Sequence, residues 1–218
     1  SSVMEELHYI KEYLPYVKQI FFQDDTLPTP WALKISQQII DEKLDICWGC
    51  YSRADKTYDE VKLMKEAGCR TFHVGYEVPI QSILDEIRKG ITVEQMEIFA
   101  KAVRKAGMWT SSSFMIYPWM TDDQLNYTIQ WIKETKATRV NIASLQAYPG
   151  CPITGTIKAY ESSGKKLMSW EDMVKWEKRG FREFYLKNPE FWIEALRSPR
   201  EWKELVKDAW GMLKFLRE

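Results

Sequence analysis

Apolar positions along the first 145 residues switch repeatedly between two periods. Val3, Leu7, Ile10 and Leu14 recur at helical spacing, and the run Ile20-Phe21-Phe22 that follows has strand character. The pair then repeats. A helix is predicted over residues 31–42 and a strand over 46–50, then a helix over 58–67, closed by Gly68, and a strand over 71–74. Two helices come next, 80–88 ended by Gly90 and 93–106 ended by Gly107, before a strand at 109–116. A helix over 122–135 and a strand over 140–145 complete the series.

Strands alternating with helices of this length predict βαβ units and therefore a parallel sheet, an α/β fold. Five strands are visible, yet the series opens on a helix. A parallel barrel repeat opens on a strand, so the expectation is a partial (βα)6 parallel barrel whose first strand would precede Ser1. After Pro149-Gly150 the strand period disappears. Helices are predicted over 169–186, 190–196 and 200–216, with Asn188-Pro189 and Ser198-Pro199 as cap-and-start pairs. The expected organisation is a partial barrel over 1–157 and an all-α C-terminal extension over 158–218. Roughly 50 residues would make a marginal core alone, and half of the ten tryptophans fall after Lys166, so the extension is expected to pack through large aromatic anchors.

Composition narrows the function classes. Lysine plus arginine and aspartate plus glutamate are 31 each, so no net field calls for nucleic acid. No apolar run approaches the roughly 20 residues that span a bilayer, and the chain is expected to be cytoplasmic. Four cysteines, separated by 3, 19 and 82 residues, do not make a disulfide scaffold. Cys47-Trp48-Gly49-Cys50 has metal or redox spacing, but it falls in a predicted strand, where residues three apart face opposite sides. It is read as two ordinary strand cysteines, and no metal ligand is assigned. His8 and His73 are likewise read as structural, as are Trp170 and Trp176 at helical spacing.

Chemistry in parallel α/β folds gathers at the carboxyl ends of the strands. Here the strands run out through Gln23-Asp24-Asp25-Thr26, Tyr51-Ser52-Arg53-Ala54-Asp55, Gly75-Tyr76-Glu77, Tyr117-Pro118 and Gln146-Ala147-Tyr148-Pro149-Gly150. Any one of these residues is explained by loop polarity or by capping of the next helix. Five such ends in succession favour a polar binding site.

Several of these segments resemble radical S-adenosylmethionine (radical SAM) enzymes in order and spacing. They are FFQDDT (21–26), WGCYSRAD (48–55), LMKEAGCRTFHVGYE (63–77), ILDEIRKGIT (83–92), KAGMWTSSSFMIYP (105–118) and AYPGCPI (147–153). The Asp24-Asp25 pair and the Trp48…Arg53…Asp55 stretch look like the subgroup associated with an upstream cobalamin-binding domain. The similarity covers residues 3 to about 157, and the segments beyond Phe181 resemble that subgroup's tail less distinctively. The family barrel has six βα units, in agreement with the strand counted as missing.

The resemblance implies S-adenosylmethionine as cofactor, a [4Fe–4S] cluster on a Cys-x3-Cys-x2-Cys loop, and cobalamin as a candidate third group. In such enzymes an electron from the cluster cleaves the cofactor and starts radical chemistry on a substrate. The cluster loop follows the family's first strand and would lie before Ser1, so this chain by itself is expected to be inactive. An electron donor such as flavodoxin or ferredoxin would serve the parent protein. Carried over by position, Asp24 and Asp25 take the methionine end of the cofactor, Glu77 its ribose or amino acid part, and Arg53 a further polar contact. The backbone at Tyr148 and Gly150 flanks the adenine. Two departures stand out: Tyr117-Pro118-Trp119-Met120 where relatives often have Gly-x-Pro-Gly-Glu, and Val78 where serine is frequent. Two other readings remain open, a non-enzymatic barrel relative acting as a binding or scaffold module, and an α/β barrel enzyme using Asp24 and Asp25 with a divalent metal. The substrate and the reaction are not legible.

Overall fold

A computed structural model of the chain describes residues 2–196 and residue 211. Strands β1 (Ile20–Phe22), β2 (Trp48–Ser52), β3 (Cys69–Glu77), β4 (Trp109–Ile116) and β5 (Arg139–Ser144) form one parallel sheet in sequential order. Helix α1 (Ser2–Tyr13) precedes it. The crossovers are α2 (Thr29–Asp41), α3 (Tyr58–Glu66), the pair α4 (Gln81–Glu86) and α5 (Val93–Lys105), and α6 (Asp122–Glu134). This is the α/β parallel architecture that the alternation predicts. No helix among the described residues is long and apolar enough to cross a membrane.

Local chemistry sets the element ends. Thr57 and Thr121 open α3 and α6 with complete capping boxes, their hydroxyls accepting from the amides of Glu60 and Gln124 while those side chains reach back. Gly68 and Gly107 end α3 and α5 with positive φ of 90° and 63°. Strand β2 begins and ends two residues later than its apolar run suggests. Its ladder continues through Tyr51 and Ser52, which pair with His73 and Val74, so pairing overrides polarity there.

The described residues form two compact units, one of those up to residue 75 with 94–111, the other of residues 76–93 with those from 112 onward. In the first, β1 pairs β2 from Ile20↔Trp48 to Phe22↔Cys50. Trp48 is fully buried and donates its indole N–H to the Ala67 carbonyl at 2.8 Å. Phe72 meets Phe99 of α5 at 5.6 Å between ring centres. The alternate strand positions carry Phe21, Tyr51 and His73, whose rings touch edge to face at 4.7–5.3 Å. His73 therefore sits in an aromatic cluster. Lys65 of α3 donates to the Ala106 carbonyl behind α5.

In the second unit Tyr76 stacks on Phe114 at 5.5 Å, and Trp131 of α6 packs its edge against both. Helix α8 (Trp170–Phe181) lies on β5, where Gly180 permits the approach. A Cβ there would come within 2.4 Å of Ile142 Cδ1. Glu177 accepts from the Ser144 amide and hydroxyl at 3.2 and 3.0 Å. Helix α8 runs into a π-helical turn, Arg182–Leu186, whose Tyr185 hydroxyl donates to the Val140 carbonyl and accepts from its amide at 3.0 and 2.9 Å. Phe181, Phe184, Tyr185 and Phe191 are buried and anchor the described helices through α9 (Pro189–Leu196), whereas Trp170, one of the tryptophans that suggested aromatic anchors, is exposed. The helix predicted over 200–216 lies outside the described residues, apart from residue 211.

One helix escapes the sequence pattern. Segment α7 (Ile153–Ser162) buries no residue and carries Gly155 with the β-branched Ile153, Thr154, Thr156 and Ile157, a composition of weak helix formers. Its anchor is tertiary: the Tyr160 ring stacks on Trp119 at 5.1 Å and its hydroxyl donates to Glu86 at 3.0 Å.

Gly68 and Gly107 share a left-handed backbone but differ in space. A Cβ on Gly68 would lie 2.0 Å from the Ile46 carbonyl oxygen, whereas at Gly107 the nearest atom is Lys65 Nζ at 3.6 Å. Gly107→Ala should therefore cost about 1 kcal/mol. Gly68→Ala, which adds a backbone clash, should cost about 3 kcal/mol or more. Urea unfolding of the two variants measures the gap, and equal midpoints would refute the close approach at Gly68.

Candidate functional site

In the first unit the exit from β1 is short and exposed. Residues Gln23 to Thr26 lie at the surface, and the Leu27 amide donates to the Tyr51 carbonyl at 3.1 Å, drawing the segment back across β2. Asp24 and Asp25 present their carboxylates to solvent from this turn. The exit from β2 is more constrained. Ser52 Oγ donates to the Arg53 carbonyl at 2.9 Å and accepts from Lys56 Nζ at 2.8 Å. Asp55 divides its oxygens between two cations, Oδ1 to Lys56 Nζ at 3.4 Å and Oδ2 to Arg53 Nε at 3.5 Å. The Lys56 side chain is 1 % exposed and that of Arg53 37 %. Sequence reasoning overlooked Lys56, because nothing in its neighbours marks a buried cation.

In the second unit the residues gather around Glu77, the last residue of β3. Its φ is +65°, a left-handed backbone that costs a non-glycine residue about 1–2 kcal/mol and collects at functional positions. Its Oε1 accepts from Lys89 Nζ at 2.7 Å, with both side chains about four-fifths buried. Arg88 and Gly90, at φ of 54° and 66°, turn the chain on either side of Lys89 and deliver it to the carboxylate. At the end of β4, burial and then the negative charge of Glu77 push the Tyr117 phenol well above its ordinary value of 10.0, so it keeps its proton at neutral pH. Tyr117 lies 5.1 Å from Trp119, whose indole N–H is buried without a hydrogen-bond partner. Tyr148 is 64 % exposed and donates to Gln146 at 3.3 Å, and Gly150 has φ +84° with open space where a side chain would stand.

Of the residues singled out from sequence, Arg53 is thus tied to Asp55, and Glu77 to Lys89 and the Tyr117 region. Asp24, Asp25, Tyr148 and Gly150 stand on exposed turns. The four cysteines are free thiols. Cys47 precedes β2 rather than lying within it, while Cys50 and Cys69 are both buried; Cys69 Sγ donates to the Thr71 carbonyl at 3.8 Å, and burial is foremost in pushing its thiol up. Among the described residues no three His, Cys, Asp or Glu side chains come together as a metal site, so these residues do not fit a [4Fe–4S] cluster.

No protein-family model matches the chain. An uncharacterized methyltransferase of Pyrococcus horikoshii is 37% identical over 154 residues, covering 69% of this chain and 33% of that protein. The chain thus spans about a third of the length of that relative. Among solved structures, the cobalamin-dependent radical enzyme OxsB with aqua-cobalamin bound gives a TM-score of 0.65 at 16% identity, over 94% of this chain and 40% of that one. The radical S-adenosylmethionine methyltransferase TsrM of Kitasatospora setae, with cobalamin and a [4Fe–4S] cluster bound, gives 0.61 at 16% identity, over 74% and 33%. Coproporphyrinogen III oxidase HemN of Escherichia coli, a radical SAM enzyme, gives 0.59 at 15% identity, over 85% and 45%. The family resemblance read in the strand-end motifs is matched by the fold: the structural neighbours are radical SAM enzymes, cobalamin-dependent ones among them.

Tyr76 and Tyr117 are both pushed above the ordinary phenol value of 10.0, chiefly by burial. A raised folded-state value means that the unfolded chain loses these protons first. Their contribution to stability is complete below pH 10 and declines as pH rises beyond it. The double variant Tyr76→Phe/Tyr117→Phe should flatten the decline in stability above pH 10, measured by denaturant unfolding. An unchanged slope would show that these phenols are not protected.

Proposed function

We propose that this chain supplies most of the barrel of a radical SAM enzyme and contacts S-adenosylmethionine, while the cluster ligands come from outside these 218 residues. The observation that carries the reading is Glu77, a strained, ion-paired carboxylate at a strand end in a fold shared with TsrM, which has been solved with an S-adenosylmethionine analogue bound. Strain of this kind persists where the surroundings over-determine it, and Lys89 with its two left-handed flanks does so here. By the carry-over, Asp24 and Asp25 accept from the ammonium of the cofactor, Arg53 makes a polar contact, and Glu77 accepts through Oε2. The Tyr148–Gly150 backbone takes the adenine, with Gly150 leaving room for a ring. A cluster on a Cys-x3-Cys-x2-Cys loop would supply the electron for cofactor cleavage, fed by a flavodoxin or ferredoxin.

The reaction class we infer is methyl transfer with cobalamin as partner group, on the strength of the methyltransferase relative and the TsrM likeness. The helices after residue 158 serve as an extension latched to the barrel through Tyr185 and Glu177.

The test is anaerobic reconstitution with iron, sulfide and dithionite, followed by detection of 5′-deoxyadenosine. The 218-residue chain should form none, and the complete natural chain containing it should form product. In that complete chain Glu77→Ala removes a charge-assisted hydrogen bond, worth about 1.5–3 kcal/mol, and should weaken cofactor binding roughly 10- to 100-fold without changing iron content. Normal binding by Glu77→Ala would remove Glu77 from the site. A complete chain that carries no cluster and binds no cofactor would establish the scaffold reading instead.

A further inference from the structure

Lysine is almost never fully buried unless it is paired, because its ammonium gives up hydration that few protein environments replace. Lys56 is buried to 1 % side-chain exposure at the end of β2. Ser52 Oγ stands at 2.8 Å from its Nζ, while Asp55 Oδ1 is at 3.4 Å. Methionine would fill the same slot with no ammonium to desolvate, so packing does not account for a lysine.

What the ammonium does that methionine would not is grip Arg53 from two directions. Through Ser52 Oγ, which accepts from Lys56 and donates to the Arg53 carbonyl, it holds the backbone of that residue. Through Asp55, which it engages by Oδ1 while Oδ2 faces Arg53 Nε, it holds the guanidinium. The exposed member of this closed loop is Arg53, and the buried one is Lys56. Nested support of this kind is how a ligand-contacting side chain is kept in one geometry.

We infer that Lys56 is a positioning residue that sets Arg53, through Ser52 and Asp55, for contact with S-adenosylmethionine. The inference rests on the function proposed above and adds to it a residue that touches no ligand itself.

The experiment uses the complete natural chain with its cluster reconstituted and S-adenosylmethionine as the probe, and reads Kd and Tm together. Lys56→Met should raise Kd roughly 5- to 30-fold, while Tm holds or rises because a desolvated charge has been removed. Asp55→Asn, at a position partly open to solvent, should raise Kd in the same sense and guards against a Lys56 variant that fails to fold. In an Arg53→Gln background Lys56→Met should add nothing further. A lowered Tm with unchanged Kd would make Lys56 merely structural and overturn the inference. So would an equal loss of affinity with and without Arg53, since the effect would then not pass through that side chain. If the unsubstituted protein binds no S-adenosylmethionine, the proposed function itself fails and the inference with it, an outcome distinct from the other two.

Discussion

Parallel strands cannot be joined by a tight turn. Each must be followed by a crossover that carries the chain back to the starting edge, and a helix is the crossover that keeps its own backbone groups paired. That constraint orders the described sheet, because β1 to β5 stand in sequence order with helices between them. It also separates the two kinds of loop. Turns entering the strands are governed by helix termination, with Gly68 and Gly107 as left-handed caps. Turns leaving the strands are released from that duty and carry Asp24, Arg53, Glu77 and Tyr148.

The apolar framework and the polar exits follow different energetic rules. Within the first unit Trp48, Phe72 and Phe99 are buried with their one polar atom satisfied, and within the second Tyr76, Phe114 and Trp131 form a closed aromatic group. At the exits the chain instead tolerates features that cost stability: a glutamate in a left-handed conformation, a buried lysine, and an indole N–H without a partner. Consistency at every level is what a purely structural position shows, and violations concentrate where a fold does chemistry. Three such features stand at the ends of β2, β3 and β4.

Tyr117 and Trp119 after β4 belong to the same account. There the chain has a phenol that feels the charge of Glu77 and an indole that anchors α7 through Tyr160. The indole makes α7 dependent on the exit from β4, since the helix has no buried residue of its own.

The sequence by itself determined the order and type of the elements from α1 to β5, because apolar periodicity and capping residues act over a few positions. Thr57 with Glu60, and Thr121 with Gln124, are complete signals within four residues. It also marked Asp24, Asp25, Arg53 and Glu77, since a polar residue directly after a strand is a local signal. Tertiary structure alone decided what these groups touch. Lys89 reaches Glu77 from 12 residues away, Tyr160 reaches Glu86 across 74, and Tyr185 meets Val140 across 45. The burial of Lys56 was illegible for the same reason: it does not follow from its neighbours in the chain. Periodicity reports which face of an element is apolar, but the partner that covers that face, or claims a charge upon it, is chosen only when distant segments meet.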